Sequence, residues 1–271
     1  KETPEVLGVE IVGGLREVST PWAGASLLVE LFRRAKVGEV ADKVLPPRGS
    51  AKGLKQGQMV ESFVLLSALG GECVDDIRQL RDDKGLEAIL GYRPAAPETA
   101  RQWLDRFHDE SLMASQPAQG SCCRNSFIPM ESSVLAGLNQ VKRRGIVAYV
   151  NAISPGKEVT LDVDAQLIAT SKADAKYCYE GYKAYQPIEV SWAETMLVLG
   201  DEFRDGNVPA SDVLSLSKGK DIKRVVDEAY DMLPPGEWRV KVRSDSAAYE
   251  QDILDHWNGR GWGFAVSADM S

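Results

Sequence analysis

Two short stretches place carboxylates where a carboxylate is costly: Leu161-Asp162-Val163-Asp164-Ala165 and Val242-Arg243-Ser244-Asp245-Ser246. Each sets an aspartate at or near the end of an apolar, β-branched run, residues 159–163 and 238–242. That is the pattern of a buried strand delivering a side chain to a sheet's functional edge. A carboxylate there must be paired, hydrogen-bonded or bound to a metal. Two of them from separate strands suggest one shared hard cation such as Mg²⁺ (or Mn²⁺). Such an ion takes one or two carboxylates and fills its shell with water and phosphate oxygens. Asp162 lies two residues before Asp164, on the same strand face, and competes with it as the ligand.

Other chemistries are poorly supplied. His108 and His256 are the only histidines, which argues against a zinc site and a catalytic histidine triad. Cys73, Cys122, Cys123 and Cys178 lack metal-ligand spacing, and the adjacent pair Cys122-Cys123 would make an awkward disulfide, so reduced thiols are the default.

The elements that must carry these aspartates come in two blocks. The first is helical. Leu27, Leu28, Leu31 and Phe32 fall at helical spacing after Thr20-Pro21; Met59, Phe63, Leu66 and Leu69 form a second stripe ended by Gly70-Gly71. Residues 75–80 and 86–90 read as shorter helices, and Pro97-Glu98-Thr99 opens one carrying Ala100, Trp103, Leu104 and Phe107. Residues 85–107 fit a helix-turn-helix, with Arg93, Arg101 and Arg106 available to phosphates.

Residues 111–128 read as a linker, so the expected domains are 1–128 and 129–271. In the second, a helix over 131–149 carries Lys142-Arg143-Arg144. Strands are then expected over 159–163, 188–192, 196–199, 238–242 and 262–266, with helices over 210–232 and 247–257 interleaved. Three strands, a helix, a strand, a helix and a strand form an α/β layer with a partly antiparallel sheet, the element order of an RNase H-like domain.

The 271 residues suffice for two ordinary domains. No apolar run reaches the roughly 18 to 20 residues of a membrane span, and Lys1-Glu2-Thr3-Pro4-Glu5 is no signal-peptide core, so a cytoplasmic location is expected. The net charge of −8 lowers the prior for a nucleic-acid partner. It does not remove it, because affinity for DNA follows the local patches that touch phosphates.

Four motifs in order, Leu161-Asp162-Val163-Asp164, residues 179–187 (Tyr179-Glu180-Gly181-Tyr182-Lys183-Ala184-Tyr185-Gln186-Pro187), Glu202-Phe203-Arg204-Asp205-Gly206-Asn207 and Arg243-Ser244-Asp245-Ser246, resemble bacterial insertion-sequence transposases of the DDE class, most closely the insertion sequence 1380 group. Gly70-Gly71, Asp75-Asp76-Ile77, Leu80-Arg81 and the helix with Thr99 extend the resemblance to the N-terminal block. It implies an N-terminal all-α, DNA-end-binding region, then an RNase H-like mixed five-stranded sheet with flanking helices. It further implies divalent-metal-dependent cleavage and strand transfer on double-stranded DNA bearing terminal inverted repeats, in a bacterial, nucleoid-associated setting. Asp164 takes the place of the first catalytic aspartate and Asp245 that of the second. Gln166 stands where the family carries Thr. The family's third acid belongs to a helix beyond the fifth strand, so the expectation is a domain incomplete at its C-terminus, inactive alone, with an uncovered apolar sheet face that promotes self-association.

Rival readings stay open. Asp245 or Ser246 could be only a helix N-cap. Turn chemistry alone accounts for Gly206 and Asn207. Tyr177, Tyr179, Tyr182 and Tyr185 could cover a sheet edge or stack on unpaired bases, and Lys218, Lys220, Lys223 and Arg224 fit a solvated helix face. A haloacid-dehalogenase-type phosphatase would use Asp162 as nucleophile and Asp164 as acid, with Asp201 and Asp205 imitating its later motif, although too few residues separate Asp164 from Asp201. A fragment that holds DNA without cutting it is the non-enzymatic alternative. Strand order discriminates among these: the phosphatase requires a doubly wound parallel sheet, the transposase adjacent Asp164 and Asp245 strands.

Overall fold

The computed structural model describes residues 5–6, 9–10, 18–47, 52–113, 127–209 and 222–268. Cys122, Cys123, Lys218, Lys220 and the first half of the helix expected over 210–232 lie outside them. The chain divides into two compact units, Lys1–Arg106 and Phe107–Ser271.

The first unit is helical apart from a two-stranded pairing of Glu5–Val6 with Val9–Glu10. Its helices are α1 (Ala25–Arg34), α2 (Val37–Val44), α3 (Gln56–Ala68), α4 (Ile77–Asp82), α5 (Lys84–Leu90) and α6 (Pro97–Asp105). In α1 the buried face is Ala25 and Val29 with Leu28 and Phe32 half-buried beside them, whereas Leu27 and Leu31 are exposed, so half of the expected stripe faces inward. The unexpected α2 packs closely on α3: a Cβ on Gly57 would lie 2.6 Å from the carbonyl oxygen of Gly38. Buried polar groups on α3 are matched, as burial demands. The Trp103 indole donates to Gln56 Oε1 at 2.6 Å, and Glu61 accepts from Arg33 Nε at 3.1 Å and the Tyr92 hydroxyl at 3.0 Å.

Asp83 caps α5 by accepting from the Leu86 amide at 2.9 Å, and Gly91 ends it in the left-handed region at φ +74°. Pro97 then starts α6 as its first residue.

The second unit is built on α7 (Ser133–Ile153), β1 (Glu158–Ala165), β2 (Ile188–Trp192), β3 (Leu197–Glu202), α8 (Ile222–Asp231), β4 (Arg239–Ser244), α9 (Gln251–Gly259) and β5 (Gly263–Val266). The five strands line up as β3-β2-β1-β4-β5. β2 runs antiparallel to β1 and β3, while β4 is parallel to both β1 and β5. This is the mixed RNase H-like arrangement, and the doubly wound parallel sheet that a phosphatase requires is not formed.

Alternation along β1 decides the layering. Val159, Leu161 and Val163 join Val190, Trp192, Leu199 and Val242 on one face, against Ile146 and Val150 of α7, Val225 and Ala229 of α8 and Ile253 and Trp257 of α9. Each such side chain contributes about 1.5 to 3 kcal/mol on burial. The other face carries Glu158, Thr160, Asp162 and Asp164 of β1 beside Arg239, Lys241 and Arg243 of β4. That face is charged rather than apolar, which removes the reason given by the sequence for self-association. The polar residues of strands read as uniformly buried are in fact its outward half.

Candidate functional site

Asp164 and Asp245 stand at the C-terminal ends of adjacent parallel strands. The register pairs Val163 with Ser244, so the next position on each strand is one of the two aspartates. Neighbouring strands are about 4.8 Å apart. Both aspartates are exposed. The Asp164 side chain makes no hydrogen bond or ion pair among the described residues, and Glu189 of β2 lies directly opposite it on its other side. Like charges so placed repel unless a cation separates them.

Asp245 adopts extended backbone, and its Oδ1 accepts from the Ala247 amide at 2.9 Å, capping the short turn Ser246–Ala248. The capping reading is therefore correct, but it uses one carboxylate oxygen and leaves the other. Asp162 is committed. Arg243 Nε donates to its Oδ1 at 2.8 Å and a second guanidinium N–H reaches Oδ2. The guanidinium holds the Asp162 carboxyl below its ordinary value.

Asp164 and Asp245, with Glu189 beyond, are hard oxygen ligands of the kind a divalent cation takes. Among the described residues no three His, Cys, Asp or Glu side chains converge closely enough to hold a metal on their own. Such a cation would therefore rely on water and substrate phosphate for the rest of its shell.

A cleft of about 620 Å³ opens beside Asp245, lined by residues that include Tyr177, Tyr179, Gln186, Gly206 and Ser246. Its wall is the tract from the hairpin Ile168–Ala169/Ala184–Tyr185 to the turn at 205–208. Arg204, wholly buried, ties this wall together: Nε donates to Glu202 Oε1 at 2.7 Å and Nη1 to the Pro209 carbonyl at 3.3 Å, and the Gln186 amide donates to the Arg204 carbonyl at 2.9 Å. Arg224 of α8 joins the other Glu202 oxygen, so it is not merely part of a solvated face. Gly206 is required by close approach rather than by turn conformation, since a Cβ there would meet the Ala184 carbonyl oxygen at 2.4 Å. Burial also raises the Asp205 carboxyl, with Lys176 opposing.

The basic residues read as DNA contacts are engaged within their own units. Arg93 pairs with Asp82 at 3.2 Å; Arg101 pairs with Asp75 and, at 3.6 Å, with Glu98; Arg106 donates to the Pro47 carbonyl at 2.6 Å. Lys142 pairs with Asp201, and Arg143 donates to the Asp231 carbonyl at 3.1 Å. Arg144 is half-buried on the same helix. Sequence reasoning missed a basic row nearer the aspartates. Arg239, Lys241 and Arg243 alternate with Val240 and Val242 along β4, and the row ends at Asp245. The period-two pattern Arg-Val-Lys-Val-Arg was the available signal.

The family model described as transposase DDE domain group 1 matches residues 14–268. No curated protein matches the chain. Among solved structures it is similar to a piggyBac transposase seen in a synaptic complex with hairpin DNA, at 11% identity and a TM-score of 0.39, covering 89% of this chain and 50% of that one. The chain thus spans half the length of that relative. No helix among the described residues is long and apolar enough to cross a membrane.

Proposed function

The chain belongs to the transposase DDE domain family, group 1, and on that premise we propose that it cleaves and joins phosphodiesters at the ends of a bacterial insertion sequence of the 1380 group. One observation supports this reading: Asp164 and Asp245 each follow the paired positions Val163 and Ser244 on adjacent parallel strands, and the Asp164 side chain has no partner among the described residues. Asp164 and Asp245 would hold Mg²⁺ or Mn²⁺. Such an ion, when bound, activates the attacking hydroxyl and stabilises the leaving oxyanion.

The chain's own residues supply position and charge. Arg243, fixed by Asp162, keeps a cation beside the site without competing for Asp164. The row of Arg239, Lys241 and Arg243 gives a phosphate backbone a track along β4 to the aspartates. The paired arginines of the helical unit, with Lys142, Arg143 and Arg144, would bind the terminal inverted repeat. Surface ion pairs contribute only about 0 to 1 kcal/mol, so phosphates can displace their carboxylate partners. The domain division at 128/129 belongs to this proposal.

A DNA-holding role without cutting is favoured by the lack of a third converging acid among the described residues. One assay separates the two: a labelled terminal-repeat duplex incubated with Mg²⁺ or Mn²⁺. Nicking that disappears with Asp164→Ala and with Asp245→Ala supports the catalytic reading and overturns the expectation that the chain is inactive alone. Binding without nicking, or nicking that survives both changes, sinks the catalytic reading.

A further inference from the structure

The cleft beside Asp245 contains more than phosphodiester chemistry needs. Tyr177 and Tyr179 reach it while 65% and 78% exposed. A tight turn holds them there: the Cys178 amide donates to the Tyr182 carbonyl at 2.9 Å, the Gly181 amide to the Cys178 carbonyl at 3.0 Å, and the Cys178 side chain between the two tyrosines is buried as the anchor. The rings are thus presented outward by backbone geometry.

Gln186 has the opposite character. It is only 7% exposed and lines the same cleft. Its main-chain N–H is bonded to Arg204, but its side-chain amide has no hydrogen-bond partner among the described residues. An amide that lines the cleft with no protein partner is left to bond what the cleft holds. It offers two donors and an acceptor, the complement of a nucleobase edge. Tyrosine rings offer the stacking surface for a base's flat face. Among the described residues the lining includes one carboxylate, Asp245, and neither Lys nor Arg, which suits a neutral base and not a phosphate.

We propose that this cleft binds one unpaired nucleobase of the DNA strand that passes Asp245, with the Gln186 amide on the base's edge and Tyr177 or Tyr179 stacked on its face. The proposal rests on the transposase reading for the presence of DNA. It goes beyond that reading by assigning a site for a base taken out of the duplex.

The test uses the whole chain without divalent metal and a fluorescent single-stranded oligonucleotide that is abasic except at one position, compared with its fully abasic counterpart by anisotropy. The wild type should bind the base-bearing strand about tenfold more tightly. Tyr177→Ala with Tyr179→Ala should erase that preference, and Tyr177→Phe with Tyr179→Phe should keep it. Gln186→Leu should flatten the ranking among the four bases while circular dichroism stays unchanged. Equal affinity of the wild type for both strands, or a preference that persists in the double alanine variant, overturns the proposal. Nicking of the terminal-repeat duplex, measured on the same preparation, reports separately on the catalytic reading. Nicking that depends on Asp164 and Asp245 without any base preference defeats the cleft assignment alone. Base preference without nicking supports the cleft and defeats the catalytic reading.

Discussion

Asp162 and Arg243 are direct neighbours across the parallel pair β1/β4 and meet in a two-pronged ion pair, Nε to Oδ1 at 2.8 Å with a second N–H on Oδ2. Of the two aspartates in β1, one is thereby bound to an arginine while the other is left for a ligand. The sequence could not decide between them, because both fall on one strand face. Register separates their surroundings: Asp162 aligns with Arg243, and Asp164 follows the Val163–Ser244 pair that precedes Asp245.

The two aspartates should therefore behave differently on substitution. Asp164→Ala should lower metal-dependent nicking by about a thousandfold or more, as loss of a member of a catalytic unit does. Asp162→Asn should cost less than about tenfold, through loss of the bond that positions Arg243. A double-mutant cycle between Asp162 and Arg243 in thermal denaturation should give about 0.2 to 1 kcal/mol, the range for a pair exposed to solvent. Equal nicking losses for Asp162→Asn and Asp164→Ala would show that the assignment of the ligand is wrong.

Arg204 is the buried post of the cleft wall, with Glu202 as its ionic partner. Removing one member of a buried pair costs about 3 to 5 kcal/mol, because the other charge is left desolvated. Arg204→Ala should lower the urea midpoint accordingly and also weaken binding in the cleft, since the Arg204 side chain ties Glu202 to the carbonyl of Pro209, which lines the cleft. A loss below about 1 kcal/mol would mean that Glu202 and Arg224 suffice without it.

Much of this was readable in the chain. The apolar, β-branched runs at residues 159–163 and 238–242 placed β1 and β4, and those of β2, β3 and β5 gave the sheet its strand count. The helix start at Pro97 was legible because its chemistry is local, whereas the Asp83 cap went unread. Contacts made over long separations were not. Nothing local announces that Gly57 must pass Gly38, which is why α2 went unread, or that Arg204 is buried at all. The arginines of the helical unit were recognised as basic, but their carboxylate partners are set by tertiary packing. Gln186 looked like any polar loop residue until the fold set its amide, without a protein partner among the described residues, on the lining of the cleft.

Asp205 gives a pH test with a defined sign. Burial raises its carboxyl above the ordinary 3.8, and Lys176 only partly offsets this. The native state therefore holds its proton more tightly than the unfolded chain does, and stability falls as pH rises from about 3.8 through the raised value. Above that window the cost is fully present. Asp205→Asn should raise the melting temperature at pH 7 and lose the advantage below the ordinary carboxylate value. An advantage that is the same at both pH values would show that the effect is packing and not ionisation.

The ion pairs of the helical unit predict how it should respond to DNA. Arg101 is held by Asp75 and Glu98, and Arg93 by Asp82, all in exposed pairs whose carboxylates a phosphate can replace. Each phosphate contact made by such a cation should lower log K by about 0.9 for every tenfold rise in salt. Arg101→Glu should reduce both the affinity for a terminal-repeat duplex and the salt slope, by about one contact. Asp75→Asn should act in the opposite direction, because it frees Arg101 from its present partner without changing the arginine. The pair of variants is diagnostic, since a general loss of folding would weaken binding in both. If Asp75→Asn leaves affinity unchanged while Arg101→Glu destroys it together with the helical circular dichroism, Arg101 holds the fold and the DNA lies elsewhere, with the β4 row of Arg239, Lys241 and Arg243 the next surface to alter.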